Sequence, residues 1–322
     1  MEHEPRKLIK FGNSSYIVSL PQKWIQKHNL KKGDIIYLDE NADSELMLNS
    51  KDKRMEKNAN KKITINVDGK DADDINRELI SAYINNYSDI TFSGTELEQK
   101  KDTITKIIDF KVGIEIIDQS KNSLVVKDLL DFEVISVKNI ARRMDNILRS
   151  MFEELKNGLS ENIFKTWIHR EIYKIDADLN KLYFLVWKIV RKGYENPMIL
   201  KNLKMSQMDL SNLQWISLYI EYVGDEIKRV AKFLVNTKTE EYERQTLKSV
   251  VEDIETIYLS AMTSYYKEQK EGLYQLMKHK KTIMEKCEKL SGKCSNVKIN
   301  SVCERIKTMA SAVHNIIKIL SY

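Results

Sequence analysis

The hydrophobic period of this chain changes once, at about residue 133. Before that point, short apolar runs alternate with turn residues, a pattern that favours strands and short helices. After it, apolar residues recur every three or four positions, as they do in bundle helices. The three clearest apolar stripes occupy 137–155, 168–189 and 213–234. The change of period therefore predicts a mixed N-terminal part and an all-α C-terminal part.

The helical part is predicted to hold six helices, arranged as three followed by three. Pro197 separates the second and third stripes, since proline ends a helix. The later helices are expected at about 239–270, 273–290 and 297–320, with Gly272 and Gly292 at the joints. This grouping suggests an internal repeat of two three-helix bundles, over 133–236 and 237–322.

The first fifty residues are predicted to form a small β-rich domain, 1–50. Runs 7–11 and 15–20 read as strands around the turn Gly12-Asn13-Ser14, because Gly and Asn tolerate positive φ. Pro21 suits the first turn of a helix that reaches about Asn29. A second strand pair is expected at 35–38 and 45–48, and the polar stretch 51–62 is typical of a linker.

A second small unit is expected over 63–130. Strand, helix, strand, helix and a final hairpin follow one another, which predicts a βαβαββ module. It shows no phosphate-loop glycine pattern that would indicate a nucleotide site. The predicted fold class is thus multidomain α+β.

Charge is distributed unevenly along the chain. Residues 1–33 hold seven basic and two acidic residues, and 267–322 hold twelve and five. The net charge of +6 therefore leaves an acidic middle between two basic ends. A basic end can be a solvated surface, so charge makes a nucleic-acid partner plausible and no more.

The first fifty residues resemble the SpoVT/AbrB-type DNA-binding domain. The resemblance rests on the basic first strand, Tyr16-Ile-Val-Ser-Leu-Pro21, the Trp24-containing helix and the Leu30-x-x-Gly33-Asp34 turn. In that family, two chains interleave their hairpins into one barrel. The resemblance implies a swapped-hairpin β-barrel and a homodimer, which agrees with the small apolar surface that fifty residues can bury alone.

A two-stranded ribbon fits the major groove, and Lys/Arg contacts with phosphate supply most of the affinity for double-stranded DNA. The candidate DNA-binding residues are Arg6, Lys7, Lys10, Asn13, Ser14, Ser15 and Lys23. A solvated basic face is the alternative, because alternating Lys is also common protection of an edge strand.

The last 190 residues resemble PhoU, a regulator of phosphate uptake built from two three-helix bundles with acidic metal-binding motifs. Glu221-x-x-x-Asp225 matches the motif, and Asp176 with Asp178 falls where the partner motif would lie, although Asn180 replaces an acid. In the second bundle, Thr308 replaces the Asp that would follow Glu304. The whole order of parts is similar to the archaeal fused phosphate regulators.

The candidate metal ligands are Glu221, Asp225, Asp176 and Asp178. Residues at i and i+4 share a helix face, and their hard oxygens suit Mg, Mn or Fe. Two interpretations stay open. The acids form a metal site, with Gly224 admitting a close approach to the backbone, or they form a solvated face with a packing glycine.

No spacing in the sequence indicates a catalytic nucleophile or acid–base pair, so we expect no enzyme. The three cysteines are expected as ordinary packed thiols without zinc spacing. No apolar run reaches the roughly 18 residues of a membrane span, and no secretory signal begins the chain. A cytoplasmic protein that is not embedded in a membrane is therefore expected.

Together these features predict a DNA-binding transcriptional regulator of phosphate uptake and phosphate homeostasis that senses through its helical body. The alternative is an adaptor that regulates a phosphate ABC transporter by protein contact, in which the N-terminal domain serves mainly to dimerise. DNA binding by the N-terminal domain separates the two.

Overall fold

The computed structural model describes residues 4–40, 45–50, 61–132, 134–161, 163–294 and 296–321. The chain divides into two compact units, Met1–Ala59 and Asn60–Tyr322. Residues 51–60 of the predicted linker lie outside the described residues. Each unit is considered by itself below.

The first unit consists of short elements. They are β1 (Ile9–Phe11), β2 (Ser15–Ile17), α1 (Gln22–Lys27), β3 (Tyr37–Glu40) and β4 (Leu46–Asn49). Gly12 has a φ of 67° in the turn between β1 and β2, which explains why glycine stands there. The two strands of this hairpin are shorter than the predicted runs, because pairing ends at Ile9 and Ile17.

The four strands of the first unit form two separate sheets. Strand β1 pairs with β2, and β3 pairs with β4, both antiparallel. Within residues 4–40 and 45–50 of the single chain, these sheets do not close into a barrel. The interleaved barrel needs a second chain, so it is not part of this structure.

The second unit begins with an αβ module. Its elements are β5 (Lys62–Asn66), α2 (Ala72–Ile84), β6 (Asp89–Ser93), α3 (Leu97–Asp109), β7 (Ile114–Gln119) and β8 (Ser123–Asp128). The sheet order is β5-β6-β8-β7, with β5 and β6 parallel and the other pairs antiparallel. The predicted strand–helix alternation is confirmed, and a core that includes Ile65, Leu79 and Phe92 lies between sheet and helices.

Long helices follow the module. They are α4 (Val137–Ser160), α5 (Thr166–Glu195), α6 (Pro197–Leu203), α7 (Gln207–Leu234), α8 (Glu241–Lys267), α9 (Leu273–Leu276), α10 (His279–Lys293) and α11 (Val297–Ser321). Ser206 begins α7 with a capping box, in which its hydroxyl accepts from the Asp209 backbone N–H. The predicted change to an all-α part is thus confirmed.

Two joints differ from expectation. Pro197 begins the short helix α6 instead of marking only a break between longer helices, since proline fits a first helical position. Gly292 lies inside the last turn of α10, and that helix ends beyond it at Cys294. Gly272, with a φ of 81°, does mark a joint, where it caps α9.

Helices α4, α5 and α7 pack against one another, and so do α8, α10 and α11. The two sets are joined chiefly by α7 against α11 and by α4 against α8. Their apolar side chains form one continuous core. The predicted boundary at residue 236 therefore separates helices that share a single core.

A buried lysine fastens the αβ module to α5. The side chain of Lys188 is fully buried, and its Nζ lies 2.7 Å from Asp128 Oδ2 and 3.1 Å from the Tyr83 carbonyl oxygen. The same ammonium lies 4.4 Å from the centre of the Tyr83 ring. Burial lowers the pKa of Lys188, and the Asp128 carboxylate opposes that effect. Sheet and helix are thus joined by a compensated charge.

In the part of the chain that the structure describes, no helix combines the length and apolar character needed to span a membrane.

Candidate functional site

The predicted DNA-binding residues all lie on the surface of the first unit. Arg6, Lys7 and Lys10 are exposed along the first strand and its approach, and Arg6 pairs with Glu4. Asn13 and Ser14 form the turn. The other two, Ser15 and Lys23, are exposed at the start of β2 and in α1. The structure thus brings six of the seven onto one hairpin and its approach.

Strand register divides the hairpin into two faces. Ile9 pairs with Ile17, and Lys10 pairs with Tyr16. Because side chains alternate along a strand, Lys10 lies on the face opposite Ile9 and Ile17. The hairpin therefore has a mixed face that carries Lys10 with Tyr16 and an apolar face that carries the two isoleucines.

The first unit has almost no interior of its own. Among the side chains described in residues 4–40 and 45–50, that of Asn49 alone is buried. Ten large apolar side chains of this unit are exposed by 38–70%, namely Leu8, Ile9, Phe11, Tyr16, Ile17, Val18, Ile35, Leu38, Leu46 and Leu48. Contiguous apolar surface of this kind marks an interface, because a monomer rarely leaves it open to water.

The acidic helix face of the second unit joins α5 to α7. Asp176 is buried on α5, while Glu221 and Asp225 lie half-buried on α7. Lys228 bridges the two helices, with its Nζ 2.5 Å from Asp176 Oδ2 and 2.7 Å from Asp225 Oδ1. Arg229 adds a contact of 2.9 Å with Asp225 Oδ2. The acids therefore already have cations from their own chain.

Burial perturbs the protonation of this face. It raises the pKa of Glu221 to about 7, and the nearby Asp225 and Asp176 carboxylates add to the effect. Burial also raises the pKa of Asp176, against the opposing influence of Lys228. For Lys228 itself, hydrogen bonds with Asp176 and Asp225 outweigh burial and raise the pKa. Lys228 thus remains charged wherever the two aspartates are.

Gly224 is a packing glycine. A Cβ at this position would lie 2.6 Å from Leu179 Cδ2 on α5 and 3.3 Å from Met151 Sδ on α4. The group that approaches its backbone closely is therefore a neighbouring leucine. This contact favours the packing interpretation over approach by a ligand.

The other acidic candidates do not join the face. Asp178 is exposed and is separated from Asp176 by two positions, which places it on another side of α5. Asn180 donates a hydrogen bond to Asp176 Oδ2 at 3.1 Å. On α11, Thr308 donates to the Glu304 carbonyl oxygen while Glu304 pairs with Lys307, so neither points to a ligand.

These residues do not fit a metal ion in the arrangement observed. Metal ions of the Mg, Mn or Fe class require several free oxygens from carboxylates, carbonyls or water. Lys228 holds one oxygen of each aspartate, and among the described residues no group of three or more His, Cys, Asp or Glu could hold a metal ion. The free oxygen of Asp176, Oδ1, is buried without a hydrogen-bond partner.

Comparison with known proteins concerns only the first unit. A family model described as antidote-toxin recognition MazE, bacterial antitoxin, matches residues 9–56. No curated protein and no solved structure matches the chain significantly. The first unit is thus similar to MazE/AbrB-type domains, and the match does not extend to the helical part.

Sequence reasoning missed Lys228 and Arg229. Their signal was present, since they follow Asp225 at three and four positions on the same helix and can fold back onto it. The contact with Asp176 was not predictable in the same way, because it depends on how α5 packs against α7. The sequence motif therefore identified the acids without the cations that neutralise them.

Proposed function

We propose that this protein is a dimeric DNA-binding regulator whose N-terminal unit contacts double-stranded DNA. One observation carries the proposal. In a unit that matches a MazE/AbrB-type domain, ten exposed apolar side chains lie beside exposed lysine and arginine residues. Domains of this type bind DNA and are typically dimeric.

The two surfaces suit different partners. Apolar side chains gain stability from burial against a second copy, at about 25 cal/mol for each Å² removed from water. Cations beside them gain from phosphate, through release of counterions. A second chain that covers Ile9, Phe11 and Ile17 would leave the face with Lys10 open, so one hairpin supports both contacts.

The test is duplex-DNA binding by the full chain, measured by fluorescence anisotropy over a series of salt concentrations. Log affinity should fall linearly with log salt, with a slope of about −0.9 for each phosphate contact. Replacing Arg6, Lys7 and Lys10 together with Ala should weaken binding and flatten the slope by about 2–3.

The matched control replaces three exposed lysines outside the first unit, Lys121, Lys289 and Lys298, with Ala. This variant removes the same charge and should keep the parental slope. Equal losses in both triple variants would show non-specific attraction and would contradict an N-terminal interface. A dimer that binds no DNA would support the adaptor alternative.

We further propose that the helical body couples this regulator to phosphate uptake. The support is the resemblance of Glu221-x-x-x-Asp225 and its apolar context to PhoU, together with the packing of helices in two sets of three. Mapping of the DNA bound in cells grown with abundant and limiting phosphate tests this step. Occupancy at phosphate-transporter genes that changes with phosphate supports it, and phosphate-independent occupancy elsewhere contradicts it.

A further inference from the structure

A cleft of about 390 Å³ lies where the αβ module meets the long helices. Its walls come from the turn between α3 and β7, the start of β7, and the facing sides of α4 and α5. This volume lies within the range of small-molecule sites, and such sites often form where two structural parts meet. Neither the predicted DNA interface nor the acidic face of α7 contributes to it.

Three cations line the cleft, each from a different element. Lys111 comes from the α3–β7 turn, Arg143 from α4 and Lys181 from α5. Within the described part of the chain, none of the three forms an ion pair with a carboxylate. Lys181 instead donates to the Asp109 carbonyl oxygen at 2.8 Å.

Lys111 is the most unusual of the three, because it is only 6% exposed. Its Nζ donates to Asn76 Oδ1 at 3.2 Å and lies 5.4 Å from the centre of the Phe184 ring, so both contacts are with neutral groups. A buried ammonium without a counter-ion is costly. Burial and the neighbouring Lys181 lower the pKa of Lys111 to about 8, which shows that nothing in the chain compensates its charge.

The carboxylates of the cleft occupy its exposed part. Asp109, Glu115 and Asp178 also line it, and all three are exposed, whereas Lys111 is buried and Lys181 is half-buried. Charge therefore changes from negative at the rim to positive inside. This gradient admits a small anion that reaches the lysines and disfavours long polyanions such as DNA, which would meet the rim first.

We propose that this cleft binds a small molecule through an oxyanion group, a phosphate or a carboxylate, held by Lys111, Lys181 and Arg143. Such a group would give the buried Lys111 its missing counter-ion and would relieve its repulsion with Lys181. Because Arg143 lies on α4 and Lys181 on α5, a bound anion would also join the module to both helices. The site is independent of DNA binding by the first unit.

The test is isothermal titration calorimetry on the full chain in low-salt buffer, with inorganic phosphate and succinate as separate probes. Binding of phosphate alone identifies a phosphate group, and binding of succinate alone identifies a carboxylate. Lys181→Gln and Arg143→Gln should each weaken binding of the preferred probe by at least about tenfold, as expected for loss of a charged hydrogen bond. Lys111→Met should abolish it.

Matched controls come from the same helices outside the cleft. Lys138→Gln on α4 and Lys174→Gln on α5 remove exposed lysines and should leave affinity unchanged. Affinity in the parent should also fall as the pH rises through about 8, where Lys111 loses its proton. The charged groups facing Lys111 in this comparison are Lys181, Arg143, Asp109, Glu115 and Asp178.

Absence of heat with both probes would overturn the proposal, and so would parental affinity in the Lys181 and Arg143 variants. The latter result would assign binding to another basic surface, including the first unit. If Lys111→Met alters the circular dichroism spectrum, the Lys181 and Arg143 variants still decide the outcome. DNA affinity does not enter this test, so the regulator proposal can fail without affecting it.

Discussion

Lys228 has the same electrostatic role at the acidic face that a bound cation would have. It lies between Asp176 and Asp225, and its side chain is itself mostly buried. Attraction between buried opposite charges offsets their desolvation only while both partners are present. The face is therefore balanced by a side chain whose position is fixed by the fold.

Lys228→Met should destabilise the protein by about 2–4 kcal/mol, because it leaves Asp176 buried and two carboxylates without a cation. Urea unfolding measures the change. The same variant should gain stability when Mg²⁺ or Mn²⁺ is added, whereas the parent should not respond. Lys174→Met is the control, since Lys174 pairs with Glu171 at an exposed position where such pairs contribute little.

Two outcomes would contradict this account. If the parent loses stability on chelation, the acidic face binds metal in spite of Lys228. If Lys228→Met is as stable as the parent, the ion pairs contribute nothing and the acids form a solvated face.

At the scale of single elements, two glycines with similar helical surroundings have opposite roles. Gly224 lies inside α7 against Leu179, whereas Gly292 lies inside α10, where a Cβ would meet no atom within 4 Å. Glycine lowers helix stability by roughly 0.5–1 kcal/mol relative to alanine unless the missing side chain is needed. Position 224 needs that space and position 292 does not.

Gly224→Ala should cost about 1–3 kcal/mol, because the new methyl group would force α5 and α7 apart or displace Leu179. Gly292→Ala should instead stabilise by about 0.5–1 kcal/mol, because it removes backbone freedom from the unfolded chain. Thermal and urea unfolding of both variants check the pair. Stabilisation by Gly224→Ala would show that the contact between α5 and α7 relaxes freely.

The elements themselves were largely predictable from periodicity. Long stripes of apolar residues mark α4, α5 and α7 because a helix face must repeat every three or four positions. The candidate site was less predictable. Asp176 and Asp178 look equivalent in sequence, and only the packing of α5 places one in the acidic face and the other in the cleft. Lys111 carried no local signal, because its burial arises from residues distant in the chain.

At the scale of the whole molecule, the first unit decides the assembly. Its apolar side chains find no interior within residues 4–40 and 45–50. Folding of a unit without its own core depends on a partner, so its stability is linked to protein concentration. This property could be suspected from the length of fifty residues, but the side chains left open became evident only with the strand register.

Phe11→Ser combined with Leu46→Ser should weaken dimerisation of the full chain, because both side chains are more than 60% exposed in the single chain and would be covered by a partner. Sedimentation velocity over a concentration series measures the effect, with an expected loss of at least about tenfold in affinity. Val134→Ser with Val297→Ser removes apolar side chains of similar exposure from the second unit and should have no effect. A monomeric parent would contradict the assembly.

The buried Lys188 has a mechanical consequence. Pulling the sheet away from α5 would separate Lys188 from Asp128 and the Tyr83 carbonyl before water could reach the ammonium. Such a joint is brittle: it resists small displacements and then fails all at once, because a partly opened charge gains nothing from either side. The αβ module and the helices should therefore transmit force as one stiff body, and a load applied to the sheet should reach the far end of α5 without being absorbed at a hinge.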